Sequence, residues 1–356
     1  MHVGMAAIFQ NPQDERPDHE VYRDDLALAR LAEPLGFRSV WGVEHHFTDY
    51  TMCPDVIQFL SYMAGHSETL QLGSMVVVLP WHDPMRVAEQ VAMLDNLSGG
   101  RMILGLGRGL GRVEFDGFRV PMEDARGIFV EAAEMILAGL EKGYCEYDGR
   151  YVQQPRREIR PRPWKSFRDR SYAAAVSPES LPIVADLGLG ILIIPQKPWE
   201  TVAAELAQYR ELYRKTNGVA APPTVCAGWV FCDPDARRAE ELARRYIGGY
   251  WGTVAKHYEL RGEHLKKTRG YVSYGRMQEI ASAPGGLDAM VEFFMGLQVW
   301  GTPEQCYAKA LDIHQRVGND TFVGVFSYAG MPHEECERNM RLFAREVLPE
   351  LEKLQV

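Results

Sequence analysis

Basic residues are in deficit, long apolar runs are missing and the cysteines stand apart; each lack removes a class of protein. The 39 Lys and Arg residues against 48 Asp and Glu leave a formal net charge of -9, with only short basic runs such as Arg156-Arg157 and Lys266-Lys267. A nucleic-acid or anionic-membrane partner calls for basic patches, so neither is expected. No stretch approaches the roughly eighteen consecutive apolar residues of a membrane span. The amino-terminal MHVGMAAIFQNPQDERPDHE has no basic start and no long apolar core. No signal peptide is read there, and a cytoplasmic location is the default expectation. The six cysteines, Cys53, Cys145, Cys226, Cys232, Cys306 and Cys336, form no CxxC pair. That spacing predicts free thiols and neither a disulfide framework nor a zinc site.

What is present is ordinary in amount and regular in order. The 356 residues are 46% hydrophobic and 24% charged, enough to bury a large core without staples. Short apolar runs alternate with helix-period segments. Strands are predicted at Val3–Phe9, Arg38–Val43, Leu70–Leu79, Arg101–Leu106, Ser171–Val176, Gly190–Ile194, Thr224–Phe231 and Thr321–Phe326. A helix follows each, among them Asp124–Leu140, Ala236–Tyr246 and Pro332–Leu351. Repeated βα alternation argues a parallel sheet covered by helices, and eight units favour closure into a (β/α)8 barrel, class α/β, as one domain over 1–356. Gly248–Val299 breaks the rhythm with Gly-Gly and Pro-Gly punctuation and several aromatics. It reads as an insertion after the seventh strand, placed to act as a lid.

The second predicted strand runs out in Val40-Trp41-Gly42-Val43-Glu44-His45-His46-Phe47. Three ionisable groups directly beyond a core strand, at the barrel end where active sites form, point to chemistry over a solvated loop. Side chains alternate in extended backbone, so His45 should face opposite to Glu44 and His46. At the fourth strand end, Gly105-Leu106-Gly107-Arg108-Gly109-Leu110-Gly111 fails the GxGxxG spacing. No helix is expected over Glu114–Pro121, and a dinucleotide site is discounted. Alternating glycines still admit a flat ligand, with Arg108 available for a phosphate; a flexible turn with a surface arginine fits this motif equally. Val176-Ser177-Pro178-Glu179-Ser180 reads as an anion site or as an ordinary N-cap, and a phosphate site becomes the better reading beside Arg108. Trp81, His82, Tyr250, Trp251 and Trp300 are candidate pocket walls or simple packing.

The blocks GFRSVWGVEHHFTDY, LGSMVVVLPWHDPMRVAEQVAMLDNLSGGRMILGLGRGL, VSPESLPIVADLGLG and VWGTPEQC, in this order over almost the whole chain, resemble the bacterial luciferase-like flavin monooxygenases, and among them the luciferase catalytic chain. The resemblance implies the same (β/α)8 fold and a two-component enzyme. Reduced FMN from a separate flavin reductase would react with O2 to a flavin C4a-peroxide that oxidises an organic substrate, here a small apolar carbonyl or hydrocarbon. It implies His45 as catalytic histidine with Glu44 and His46 as its neighbours. Arg108 would hold the flavin phosphate together with Ser177 and Ser180, in a loop that includes Val176 and Glu179. Met75-Val76 would form a non-prolyl cis peptide under the flavin ring. Two departures bear on light emission and on a long-chain aldehyde substrate. Gly107 stands where luciferase has a reactive cysteine, leaving more room, and Val176 with Pro178-Glu179 stands where it has a glutamate–serine pair.

Other readings stay open on sequence. A deazaflavin F420-dependent oxidoreductase of the same superfamily would transfer hydride without oxygen. A barrel metal hydrolase would use the Glu44-His45-His46 cluster, although no partner ligands are evident at later strand ends. A non-catalytic flavin-binding subunit is the third. The resemblance further implies a homodimer or heterodimer through the helices near Asp55–His66 and Pro84–Leu97, faces that barrel packing alone would also make apolar.

Overall fold

A computed structural model describes residues 1–354 except 175, 176, 178, 272 and 273. Eight parallel strands form a closed ring: β1 (His2–Ala7), β2 (Ser39–Gly42), β3 (Gln71–Ser74), β4 (Met102–Gly107), β5 (Ser171–Ala174), β6 (Gly190–Ile193), β7 (Thr224–Cys232) and β8 (Asn319–Val325). Each pairs with the next in chain order, and β8 closes on β1 with Val323 opposite Gly4 and Gly324 opposite Met5. The predicted (β/α)8 barrel is therefore the architecture, with helices packed outside. Burial on both faces explains why the strands read as apolar runs without alternation. The barrel wall is tight: a Cβ on Gly73 of β3 would lie 2.2 Å from the Trp41 ring of β2, so only glycine lets that indole lie across the sheet. All six cysteines are buried and unpaired.

Several elements differ from expectation, each for a local reason. The single strand expected over Leu70–Leu79 is interrupted. Ser74 Oγ takes the ladder's place, accepting from the Gly105 amide at 2.8 Å and donating to its carbonyl at 2.9 Å. The Met75-Val76 peptide is cis, as the resemblance implied; pairing resumes at Val77–Val78 against Leu106 and Gly107. A helix forms over Arg112–Phe118, where none was expected. An antiparallel hairpin, Tyr144–Asp148 with Gln153–Glu158, lies outside the barrel around the turn that begins Asp148-Gly149. The terminal helix divides into His333–Glu346 and Leu348–Glu352, with Pro349 in the first turn of the second piece.

The expected insertion boundary at Gly248 falls inside a helix. Ala236–His257 is continuous because Gly248 and Gly249 serve close packing: a Cβ on Gly248 would lie 3.1 Å from Val291 of the helix Gly286–Gly296. The remainder carries the helices His264–Lys267 and Gly275–Ser282, then a short strand, Val299–Gly301, added beside β7.

Candidate active site

The carboxyl ends of β2 to β6 surround a cleft of about 1020 Å3 of empty volume, part of it open to solvent. Its floor and flank are Val43, Met75, Val76 and Val78; Arg108, Arg126 and Ser180 border it as polar groups, and so do His45 and Glu114. The side chains beyond β2 alternate as extended backbone requires. Glu44 Oε1 meets His46 Nε2 at 3.1 Å and His82 Nε2 at 2.6 Å, while its Oε2 accepts from the Val78 amide at 3.0 Å. Glu44 thereby ties the end of β2 to Val77–Val78. Burial works to raise its carboxyl, yet the hydrogen bonds from His46 and His82 prevail and hold it below the ordinary value. His82 moves the other way: burial alone would lower it, but Glu44 raises it. His46 packs edge-on against Trp81 and Phe118 and does not border the cleft among the described residues.

His45 points the other way, to Glu114 of the unexpected helix, with Nδ1 and Oε1 2.9 Å apart. The same oxygen accepts from the His46 amide at 2.9 Å and lies 3.5 Å from His257 Nε2. His257 Nδ1 in turn meets Thr48 Oγ1 at 2.9 Å. Glu114 is fully buried, which opposes its ionisation; the two histidines outweigh this and hold the carboxyl at about 2. Burial lowers His257 below its usual value despite Glu114. With Nδ1–H donating to a carboxylate, the His45 Nε2 lone pair is available, with the Tyr258 hydroxyl 3.5 Å away. His45, Glu114 and His257 place donor atoms within 4.8 Å of one another, so ligand-type partners that the sequence did not reveal do converge on His45.

The phosphate-type residues are also brought together. Arg108 donates to the Gly270 carbonyl at 2.9 Å and lies over the Tyr271 ring at 4.1 Å, and the Tyr271 hydroxyl donates to the Gly109 carbonyl at 2.9 Å. The Ser177 and Ser180 hydroxyls are 2.7 Å apart. Glu179 is exposed and faces Arg126 at 3.8 Å; Val176 lies outside the described residues. Arg126, which no motif marked, gives the cleft a second guanidinium. Gly107 does not leave the room expected of it: a Cβ there would lie 2.3 Å from Val76 Cγ2, so the space is filled by valine. Of the candidate aromatics, Trp81 borders this cleft and Tyr250 and Trp251 border a neighbouring cavity. Trp300 lines neither among the described residues and stacks under Lys309.

The family model for luciferase-like monooxygenases matches residues 1–320. The alkanal monooxygenase alpha chain of Photorhabdus luminescens is 25% identical over 354 residues, 98% of this chain and 96% of that one. The monooxygenase RslO1 from Streptomyces bottropensis superposes with a TM-score of 0.79 at 25% identity, covering 98% and 99% of the two chains. The oxygenating constituent of 3,6-diketocamphane monooxygenase from Pseudomonas putida, solved with FMN, shares the fold at a TM-score of 0.76 and 16% identity, over 100% and 99%. The chain belongs to the luciferase-like monooxygenase family.

Proposed function

We propose that this luciferase-like monooxygenase is the oxygenase of a two-component system, taking reduced FMN from a separate flavin reductase and using O2 to oxidise a small apolar carbonyl or hydrocarbon. The observation that carries the reading is one cleft bordered by two guanidiniums, an apolar floor and a histidine backed by a buried carboxylate. That donor set fits FMN: a dianionic phosphate suits Arg108, Arg126 and Ser180, and a flat ring suits Val43, Met75 and Val76. Reduced FMN supplies the activation of O2 there.

The chain's own groups have separable tasks. Arg108 and Arg126 hold the phosphate end, and Glu44 keeps the end of β2 against Val77–Val78. His45 takes or returns a proton at Nε2, with Glu114 fixing its tautomer and stabilising its cationic form. The insertion, through Tyr258, Gly270 and Tyr271, covers the site as a lid and keeps water out.

Mixing the protein and reduced FMN, prepared without oxygen, with aerated buffer tests this. The expected result is a lag before oxidised-flavin absorbance returns, lost in Arg108→Ala; immediate return at the rate of free reduced FMN overturns it. Tight F420 binding without FMN binding would assign the hydride-transfer chemistry instead. A His45→Ala chain that still turns over substrate would make His45 a bystander. The convergence of His45, Glu114 and His257 supports a metal-site reading as well, and stoichiometric metal in purified protein would favour it. Glu114 Oε1 already serves the His46 amide and the His45 ring, which favours the hydrogen-bonded role.

A further inference from the structure

A second cavity, about 610 Å3 of empty volume with part of it open to solvent, adjoins the cleft. Val43, His45, Met75, Ile194, Gln196 and Tyr258 border both, so the two spaces meet at the His45 ring. The rest of its wall is largely aromatic. Tyr50, Trp229, Tyr250, Trp251 and Phe294 line it, each more than nine-tenths buried. These rings brace one another: Trp229 and Tyr250 have centroids 4.4 Å apart, and Trp251 and Phe294 stack at 4.8 Å with planes 26° apart. The Tyr50 and Tyr250 hydroxyls satisfy each other at 2.7 Å. Rings so interlocked hold a fixed shape and do not collapse into the space beside them.

Two further properties narrow the occupant. Among the described residues no Lys, Arg, Asp or Glu lines this cavity and its one imidazole, His45, is already paired with Glu114, so a charged group would enter without a free counter-ion at a cost of several kcal/mol. Ile8, Ala227 and Val325, from the barrel strands or directly beyond them, line it together with Trp251 and Phe294. An extended methylene chain gains only its burial against such walls, whereas fused rings add face and edge contacts with the aromatic side chains.

We propose that this chamber is the organic-substrate site and that it selects an uncharged molecule built on flat fused rings, with a carbonyl or hydroxyl oxygen directed to His45 and Gln196. The proposal rests on the monooxygenase reading for its chemistry, but its binding step is separately measurable.

The test is calorimetric titration of the full chain with α-tetralone, decanal, 2-naphthaldehyde and 2-naphthoate, with FMN binding measured in parallel. α-Tetralone is expected to bind at least about tenfold tighter than decanal, and 2-naphthaldehyde about tenfold tighter than 2-naphthoate. Ala227→Leu, which fills the chamber, and Trp251→Leu, which removes a wall, should each weaken α-tetralone binding about tenfold and leave FMN binding unchanged. Decanal binding more tightly than α-tetralone, or α-tetralone binding untouched by both variants, overturns the proposal. A protein that delays flavin oxidation yet shows no preference for rings defeats this inference alone. One that binds α-tetralone in the chamber but does not delay flavin oxidation defeats the monooxygenase reading alone.

Discussion

Glu114 serves two donors through one oxygen, while its other oxygen is buried without a hydrogen-bond partner among the described residues. Against its burial, the charge and hydrogen bonds of His45 and His257 hold such a group ionised. Glu114→Gln keeps an acceptor for the His45 ring and the His46 amide but removes the negative charge beside the His45 and His257 rings. Turnover is expected to fall roughly ten- to a hundredfold, because the carboxylate that fixes the His45 tautomer is gone. The same carboxyl, lowered from 4.5 to about 2, stabilises the fold above about pH 4.5, and that contribution is lost as pH falls toward 2. It is worth roughly 3 kcal/mol, so acid melts should steepen in that window for the native chain and flatten in the variant. At Gly107 the expected effect is steric. Gly107→Ala sets a methyl 2.3 Å from Val76 Cγ2, and FMN affinity should weaken about tenfold and recover when Val76→Ala is added. The opposed directions of His45 and Glu44 were legible in the sequence, because alternation in a strand is local. Glu114 was not, because it stands 69 residues from His45, on a short helix that no periodicity announced.

Among the elements, the insertion bears most directly on the site. It reaches the fourth strand end through Arg108, whose guanidinium both donates to Gly270 and lies on Tyr271. Tyr271→Phe removes only the bond to the Gly109 carbonyl, about 1 kcal/mol, and should leave the lag in flavin oxidation largely intact. Tyr271→Ala also removes the ring beneath Arg108 and should shorten the lag several-fold; equal effects of the two variants would exclude the ring contact. The start that the sequence suggested for the insertion, Gly248, lies inside a continuous helix. Gly248-Gly249 reads as a breaker, and only the neighbouring Val291 shows that the glycines are there for packing. The outer hairpin carried a usable signal in Asp148-Gly149, a frequent turn pair. The break after β3 carried none, since a side chain substituting for a ladder bond depends on the partner strand.

At the scale of the whole molecule, the eight-unit rhythm was sufficient to give the barrel, because each unit must bury one helix face and both strand faces. Helices beyond the strand ends then brought Glu114 and His257 to His45 and set Arg126 on the same cleft, which no spacing rule anticipates. Tyr62, Met93 and Leu97 remain exposed on the neighbouring helices Val56–Ala64 and Pro84–Leu97. This face is expected to join a second copy, and Met93→Asp with Leu97→Glu should convert a dimer to a monomer in sedimentation analysis. The thiols have a consequence of another kind. Burial suppresses thiolate formation, holding Cys53 at about 12 and Cys145 at about 11 and raising Cys226 and Cys336 as well. An alkylating reagent therefore meets no ready nucleophile on the folded chain, and its uptake should track chain opening. Labelling of all six cysteines in one kinetic phase would make them an intrinsic clock for global unfolding, and a separate fast phase would identify the part of the barrel that opens first.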